Sequence, residues 1–283
     1  MLSSGYGVLH TTDSGATWSA QSVPAASTGF GGSIACASAS VCESVGQSAG
    51  GSGSGGAGGI IGTTDGRTTR SVQSIPATTT GLGDVSCPTT QVCVAAGSDF
   101  ALPTADGVVL TTSDGGAIWT NGTLPGTGNV NTLSCPTTLD CVALAGSQVL
   151  ASTDGAVTWA HQSVPSSAPY YPESLACASA TICEIVGSSA GYTTNGGTTW
   201  TEGALPAPVA PATGYNLGVV SCPSTTSAWP RSRDRPTPLS TPQPTGGHLV
   251  GHGRHRHVHR LPARTRVSEH HRLGGGRLRH RYL

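Results

Sequence analysis

Lysine is missing altogether from this chain of 283 residues, and aromatic residues supply only 5% of it. Strong helix formers are sparse while turn formers and β-branched residues alternate, which disfavours a helical protein and favours an all-β one. No apolar run approaches the roughly 20 residues that a membrane-spanning helix needs. The opening Met1-Leu2-Ser3-Ser4-Gly5-Tyr6-Gly7 has neither the basic start nor the apolar stretch of a secretory signal. The Gly/Ser run at 50–59 lacks the Lys and the strand–helix setting of a phosphate-binding loop, and reads as a flexible insert.

Charge is present but divided. Residues 1–227 hold two Arg (Arg67 and Arg70) against twelve acidic residues, whereas residues 228–283 hold twelve Arg against Asp234 and Glu269. Eight of the ten His fall in the second segment. An asymmetry of this size marks two segments of different nature. Cysteine is confined to the first: Cys36 and Cys42, Cys87 and Cys93, Cys135 and Cys141, Cys177 and Cys183, and then Cys222 without a partner. Regular C-x5-C pairs with few His nearby read as disulfides of an exported protein, with free structural thiols as the other reading. Zinc needs four convergent ligands, which this spacing does not supply. Export without a signal sequence implies that the true N-terminus lies upstream of Met1.

The pairs belong to a repeat. A turn of the form (S/T)-x-D-x-G-x-T-W recurs as Asp13…Trp18, Asp65…Arg70, Asp114…Trp119, Asp154…Trp159 and Asn195…Trp200, each followed six residues later by Pro. The steps between turns are 52, 49, 40 and 41 residues. One period contains four strand-like pieces, such as 132–135, 141–145, 148–152 and 158–162, separated by good turn formers. Four strands every 40–50 residues is the pattern of a β-propeller blade, and a β-helix has roughly half that period. The Asp of each turn can accept hydrogen bonds from amides two or three residues on, and the Gly supplies a positive φ. The Trp can bury about 200 Å² between blades. The chain enters at a third and fourth strand (6–9 and 17–21), continues through four complete blades, and begins another at 217–222.

On these residues the chain resembles the Asp-box (BNR) repeat propellers of the sialidase-like superfamily. With Ser134-Cys135-Pro136 and Cys141-Val142-Ala143 it is similar to secreted bacterial propellers related to photosystem II stability/assembly factors. The resemblance covers residues 6–227. It implies that Asp13, Trp18, Asp65, Asp114, Trp119, Asp154, Trp159, Asn195 and Trp200 are structural residues at the periphery, as in catalytic and non-catalytic members alike. Departures are Arg70 for Trp, Asn195 for Asp, and the turn at Asp65-Gly66-Arg67-Thr68-Thr69, which reads as shortened.

After Ser227 the repeat dissolves into Arg, His and Pro, and Ala228 stands where Cys222 needs its partner. An Arg/His-rich arm for nucleic acid or metal is one reading. A shifted reading frame is the stronger one: Ala228-Trp229-Pro230, read one base earlier, permits Cys-Val-Ala, the missing half of the C-x5-C-V-A motif. Residues 228–283 hold too little apolar surface to offset ordering.

The chemistry is thin. A sialidase needs several Arg, and the body has two. A two-carboxylate glycosidase needs paired acids in a cleft, yet Asp13, Asp65, Asp114 and Asp154 are taken by turns. Glu43, Asp84, Asp99, Asp106, Asp140, Glu173, Glu184 and Glu202 read as solvated or strand-edge acids. His10 and His161 read as surface or packing residues, Asn121-Gly122-Thr123 as a loop, and Tyr170-Tyr171 as an exposed contact point. No catalytic, cofactor or metal site is expected. The expectation is a secreted or cell-surface bacterial propeller that binds a protein or glycan, with a glycoside hydrolase of the same fold, or a truncated and frameshifted product, as rivals. Sequencing the gene across codon 228 is expected to restore a Cys codon in a single continuous frame, and an uninterrupted native frame giving Ala228 would overturn that reading.

Overall fold

The computed structural model describes residues 8–24, 31–47, 57–66, 69–99, 106–126, 128–164, 172–205, 217–222 and 250–251. Expectations for Tyr6, Arg67, Pro165, Tyr170, Tyr171, Pro206 and Ala228 lie outside these residues. Every regular element among them is a strand. A leading pair, β1 (Val8–His10) and β2 (Ser19–Gln21), precedes four blades. Blade 1 is β3 (Ile34–Cys36), β4 (Cys42–Gln47), β5 (Gly58–Thr63) and β6 (Ser71–Val72). Blade 2 is β7 (Gly81–Ser86), β8 (Cys93–Asp99), β9 (Asp106–Thr112) and β10 (Thr120–Asn121). Blade 3 is β11 (Val130–Ser134), β12 (Cys141–Ala145), β13 (Gln148–Ser152) and β14 (Ala160–Gln162). Blade 4 is β15 (Pro172–Cys177), β16 (Cys183–Gly187), β17 (Ala190–Thr193) and β18 (Thr201–Gly203). A trailing pair, β19 (Leu217–Val219) and β20 (Val250–Gly251), follows.

Within each blade the strands pair in sequence order and antiparallel, as short turns between alternating strands demand. The fold is a β-propeller of four-stranded blades. The first strands of successive blades contact one another and therefore form the inner wall. Two expectations need correction. Gly58 and Gly59 belong to the buried start of β5, not to a flexible insert, and the missing side chain of Gly58 lets β5 lie against Thr79 and Gly81 of the adjoining segment. Asn121 is in β10 and Thr123 makes a parallel bridge to Thr158 of blade 3, so 121–123 is not a loop.

Blades 2, 3 and 4 bury both faces, one against each neighbour, and strand alternation sorts the residues. In β8, Cys93 and Ala95 pack back onto Val45 and Ile60 of blade 1, while Val94 and Ala96 pack forward onto Leu133 and Trp159 of blade 3. In β12, Val142 and Leu144 face forward onto Ile185 and Trp200 of blade 4. Trp119, Trp159 and Trp200 each cover the preceding blade and are 4–6% exposed. Trp18 is 60% exposed and Ile34 50% exposed.

The four disulfides Cys36–Cys42, Cys87–Cys93, Cys135–Cys141 and Cys177–Cys183 each close the first hairpin of a blade. A loop this short limits each to about 2 kcal/mol in the chain-entropy picture. Trp159→Ala is expected to lower stability by about 3–5 kcal/mol and Trp18→Ala by under about 0.5 kcal/mol, read from urea unfolding under oxidising conditions. Equal losses would contradict the interblade role of the buried ring.

Candidate functional site

The recurring turns are built by one hydrogen-bond scheme. A hydroxyl two residues before the acid (Thr11, Thr112, Ser152 or Thr193) accepts from the amide four residues on, at 2.9–3.1 Å. The same hydroxyl donates to Asp13, Asp114, Asp154 or Asn195. The acid in turn accepts from the amide four residues beyond it, where Thr17, Ile118 and Thr158 donate at 2.8–3.0 Å, and Asp154 also accepts from the Val157 amide three residues on at 3.1 Å, as expected. Thr69 donates to Asp65 at the same four-residue spacing, so that turn is not shortened. Two successive residues after the acid have positive φ, for instance Gly115 at 75° and Gly116 at 89°, which is why Gly is favoured there.

A second hydroxyl closes most of these turns. Thr17, Thr69 and Thr158 donate to Oδ2 of Asp13, Asp65 and Asp154 at 2.5–2.6 Å, and Thr199 accepts from Nδ2 of Asn195. The hydroxyl of Thr17 is the main reason Asp13 is held at about 2, and that of Thr158 does the same for Asp154. In blade 2 the corresponding residue is Ile118. Asp114 is still held below the ordinary carboxylate range, by the Ile118 amide first and the Thr112 hydroxyl second.

Blades 2 and 3 leave a cleft of about 410 Å³ between their turns. Its walls include Asp114, Ile118, Thr120, Asp154, Val157 and Thr138. Ile118 and Val157 are 64% and 52% exposed. The Thr111 hydroxyl donates to the Gly155 carbonyl across the interface, and Thr123 exchanges backbone bonds with Val157 and Trp159. These ties hold the two turns at a set separation. The cleft thus joins two ionised carboxylates with exposed apolar side chains. Among the described residues, no group of three His, Cys, Asp or Glu is placed to hold a metal ion.

The other acids go elsewhere. Glu43 and Glu184 are not solvated: they are 2% and 5% exposed, at the forward-facing positions that Val94 and Val142 occupy in blades 2 and 3. Gln73 Nε2 donates to Glu43 Oε1 at 2.9 Å, and Trp119 Nε1 donates to Gln73 Oε1 at 2.7 Å. Among the described residues, Glu43 Oε2 has no hydrogen-bond partner. Burial pushes the Glu43 carboxyl up to about 7, against the opposing pull of Gln73 and Arg70. Burial likewise lowers Arg70, countered by Asp65 and Glu43. Cys222 lies against Glu184, and burial first, then that carboxylate, push its thiol up to about 12.

Asp84 is an interblade tie: its Oδ2 accepts from the Thr132 hydroxyl and the Leu133 amide of β11. Ser86 and Ser134 accept from the amides of Cys135 and Cys177 in the next blade. The Ser before Cys was the sequence signal for this belt, and Ala35 and Ala176 interrupt it. Asp140 is bonded to Thr137. Asp99 and Asp106 stand opposite each other at the ends of β8 and β9. Glu173 sits at a register shift in β15, and Glu202 is in β18. His10 and His161 are on β1 and β14. The cleft itself was missed in sequence, although Ile118 in place of Thr was a visible departure.

No family model and no curated protein matches the chain. Solved structures do match. A structure of YCF48 from Cyanidioschyzon merolae gives a TM-score of 0.50 at 17% identity, covering 75% of this chain and 69% of that one. A structure of YCF48 bound to D1 peptide gives 0.49 at 14%, covering 69% and 57%. A GH74 enzyme of Niastella koreensis gives 0.42 at 16%, covering 76% and 40%. The chain is similar to the first of these in fold, and it spans 69% and 57% of the two YCF48 chains.

Glu43 generates a pH dependence. Its carboxyl binds protons more tightly folded, at about 7, than at the ordinary value of 4.5. Stability is therefore greatest below pH 4.5 with respect to this group and falls as pH rises through 7. Glu43→Gln keeps an acceptor for Gln73. It is expected to leave the melting temperature unchanged near pH 4.5 and to raise stability at pH 8 by about 2 kcal/mol, because solvent still partly screens the Glu43 charge. Thermal melts of both proteins across this range check it.

Proposed function

We propose that this chain is a non-catalytic β-propeller that binds a protein or glycan partner outside the cell. The observation that carries this reading is the ionisation state of the cleft. Hydrolysis by two carboxylates needs one of them protonated to serve the leaving group. Asp114 and Asp154 are both held below the ordinary carboxylate range by the hydrogen bonds of their turns. Neither is a general acid near neutral pH. What the cleft offers is fixed negative charge beside apolar side chains, which suits recognition.

Four disulfides support an oxidising, exterior compartment. Among the described residues no helix is long and apolar enough to cross a membrane. The basic segment 228–283 is taken as an out-of-frame extension, and binding to nucleic acid is expected only if its frame is native. Incubation with xyloglucan and other β-glucan oligosaccharides between pH 4 and 8 is expected to release no reducing ends above a blank. Binding to immobilised peptides or glycans is expected to saturate. Turnover that disappears in Asp154→Asn would overturn the non-catalytic reading.

A further inference from the structure

Ile118 breaks a local rule. Where four of the five turns place Thr17, Thr69, Thr158 or Thr199 to engage the Asp or Asn side chain, blade 2 places an exposed isoleucine. The substitution forfeits a hydrogen bond to Asp114 Oδ2 and sets 64% of an apolar side chain in water. Sequences that give up a local stabilising interaction with no structural return do so most often at functional positions. Ile118 and Asp114 line the same cleft, opposite Val157 and Asp154.

We infer that this cleft between blades 2 and 3 docks an extended peptide through an arginine side chain. This rests on the binding reading above and names its surface and partner. Arg matches the cleft in two ways. Its aliphatic stem can lie along Ile118 and Val157 while the guanidinium reaches the carboxylate oxygen that no threonine covers. Charge complementarity favours it too, since residues 1–227 carry twelve acids against two Arg, and the described lining contains no cationic side chain. A glycan would leave the two fixed charges without a counterpart, and a bare metal ion finds no third acidic or imidazole ligand among the described residues.

The test uses the full chain with a fluorescein-labelled, end-capped peptide of alternating Arg and Val, and the same peptide with citrulline in place of Arg. Fluorescence anisotropy is expected to show saturable binding of the Arg peptide, weakening with added salt, and binding of the citrulline peptide at least about tenfold weaker. Two variants address the site. Ile118→Thr supplies the missing hydroxyl and is expected to raise thermal stability while weakening Arg-peptide binding by about tenfold. Asp114→Asn is tolerated by the turn, as Asn195 shows in blade 4, and is expected to weaken binding at least as much. Binding that persists unchanged in both folded variants overturns this docking site while leaving the binding function intact. Equal affinity for the citrulline peptide overturns the role of charge. Absence of binding to either peptide overturns the site, and the binding function falls only if immobilised peptides and glycans also fail to bind.

Discussion

Everything in this molecule depends on side chains that face forward and backward between blades. The chain has few large apolar residues, so no single sheet can build a core on one face. The alternation of a strand solves this by sending neighbouring residues to opposite sides. Cys93 and Val94 are adjacent in sequence and belong to different interfaces. A tryptophan at the edge of blades 2, 3 and 4 then adds the bulk that Val, Ala and Leu do not. Trp18, in the leading pair, is instead 60% exposed.

The recurring turn serves that packing. Its hydrogen bonds use small side chains and backbone amides, and they fix the point from which the tryptophan leaves. Because the scheme is satisfied within eight residues, it survives Asn195 for Asp and Arg70 for Trp. The exceptions are then informative. Glu43 brings a carboxyl into an interface where two other blades use valine, and Gln73 and Arg70 gather around it. Ile118 removes a hydroxyl and opens a carboxylate at the mouth of a cleft. One departure is compensated by neighbours. The other is left facing solvent, where a partner can meet it.

Much of the architecture was legible in the chain. The strand pieces at 141–145 and 148–152 coincide with β12 and β13, because turn residues and alternating apolar residues act locally. The disulfide hairpins were legible for the same reason, since their partners are only six residues apart. The acids were not. Glu43 and Glu184 read as exposed because charged residues usually are, and only the neighbouring blade buries them. Asp84 showed no sign of its role, since its partners Thr132 and Leu133 lie 48 and 49 residues away.

The sequence by itself determined the blade, its turns and its covalent hairpins, all of which are closed by interactions within one period of the repeat. Only the tertiary structure decided which face of each strand meets which neighbour, which carboxylates are buried or ionised, and where two turns form a cleft. Those properties arise between blades, from residues about one repeat apart, and no local pattern carries the distance between them.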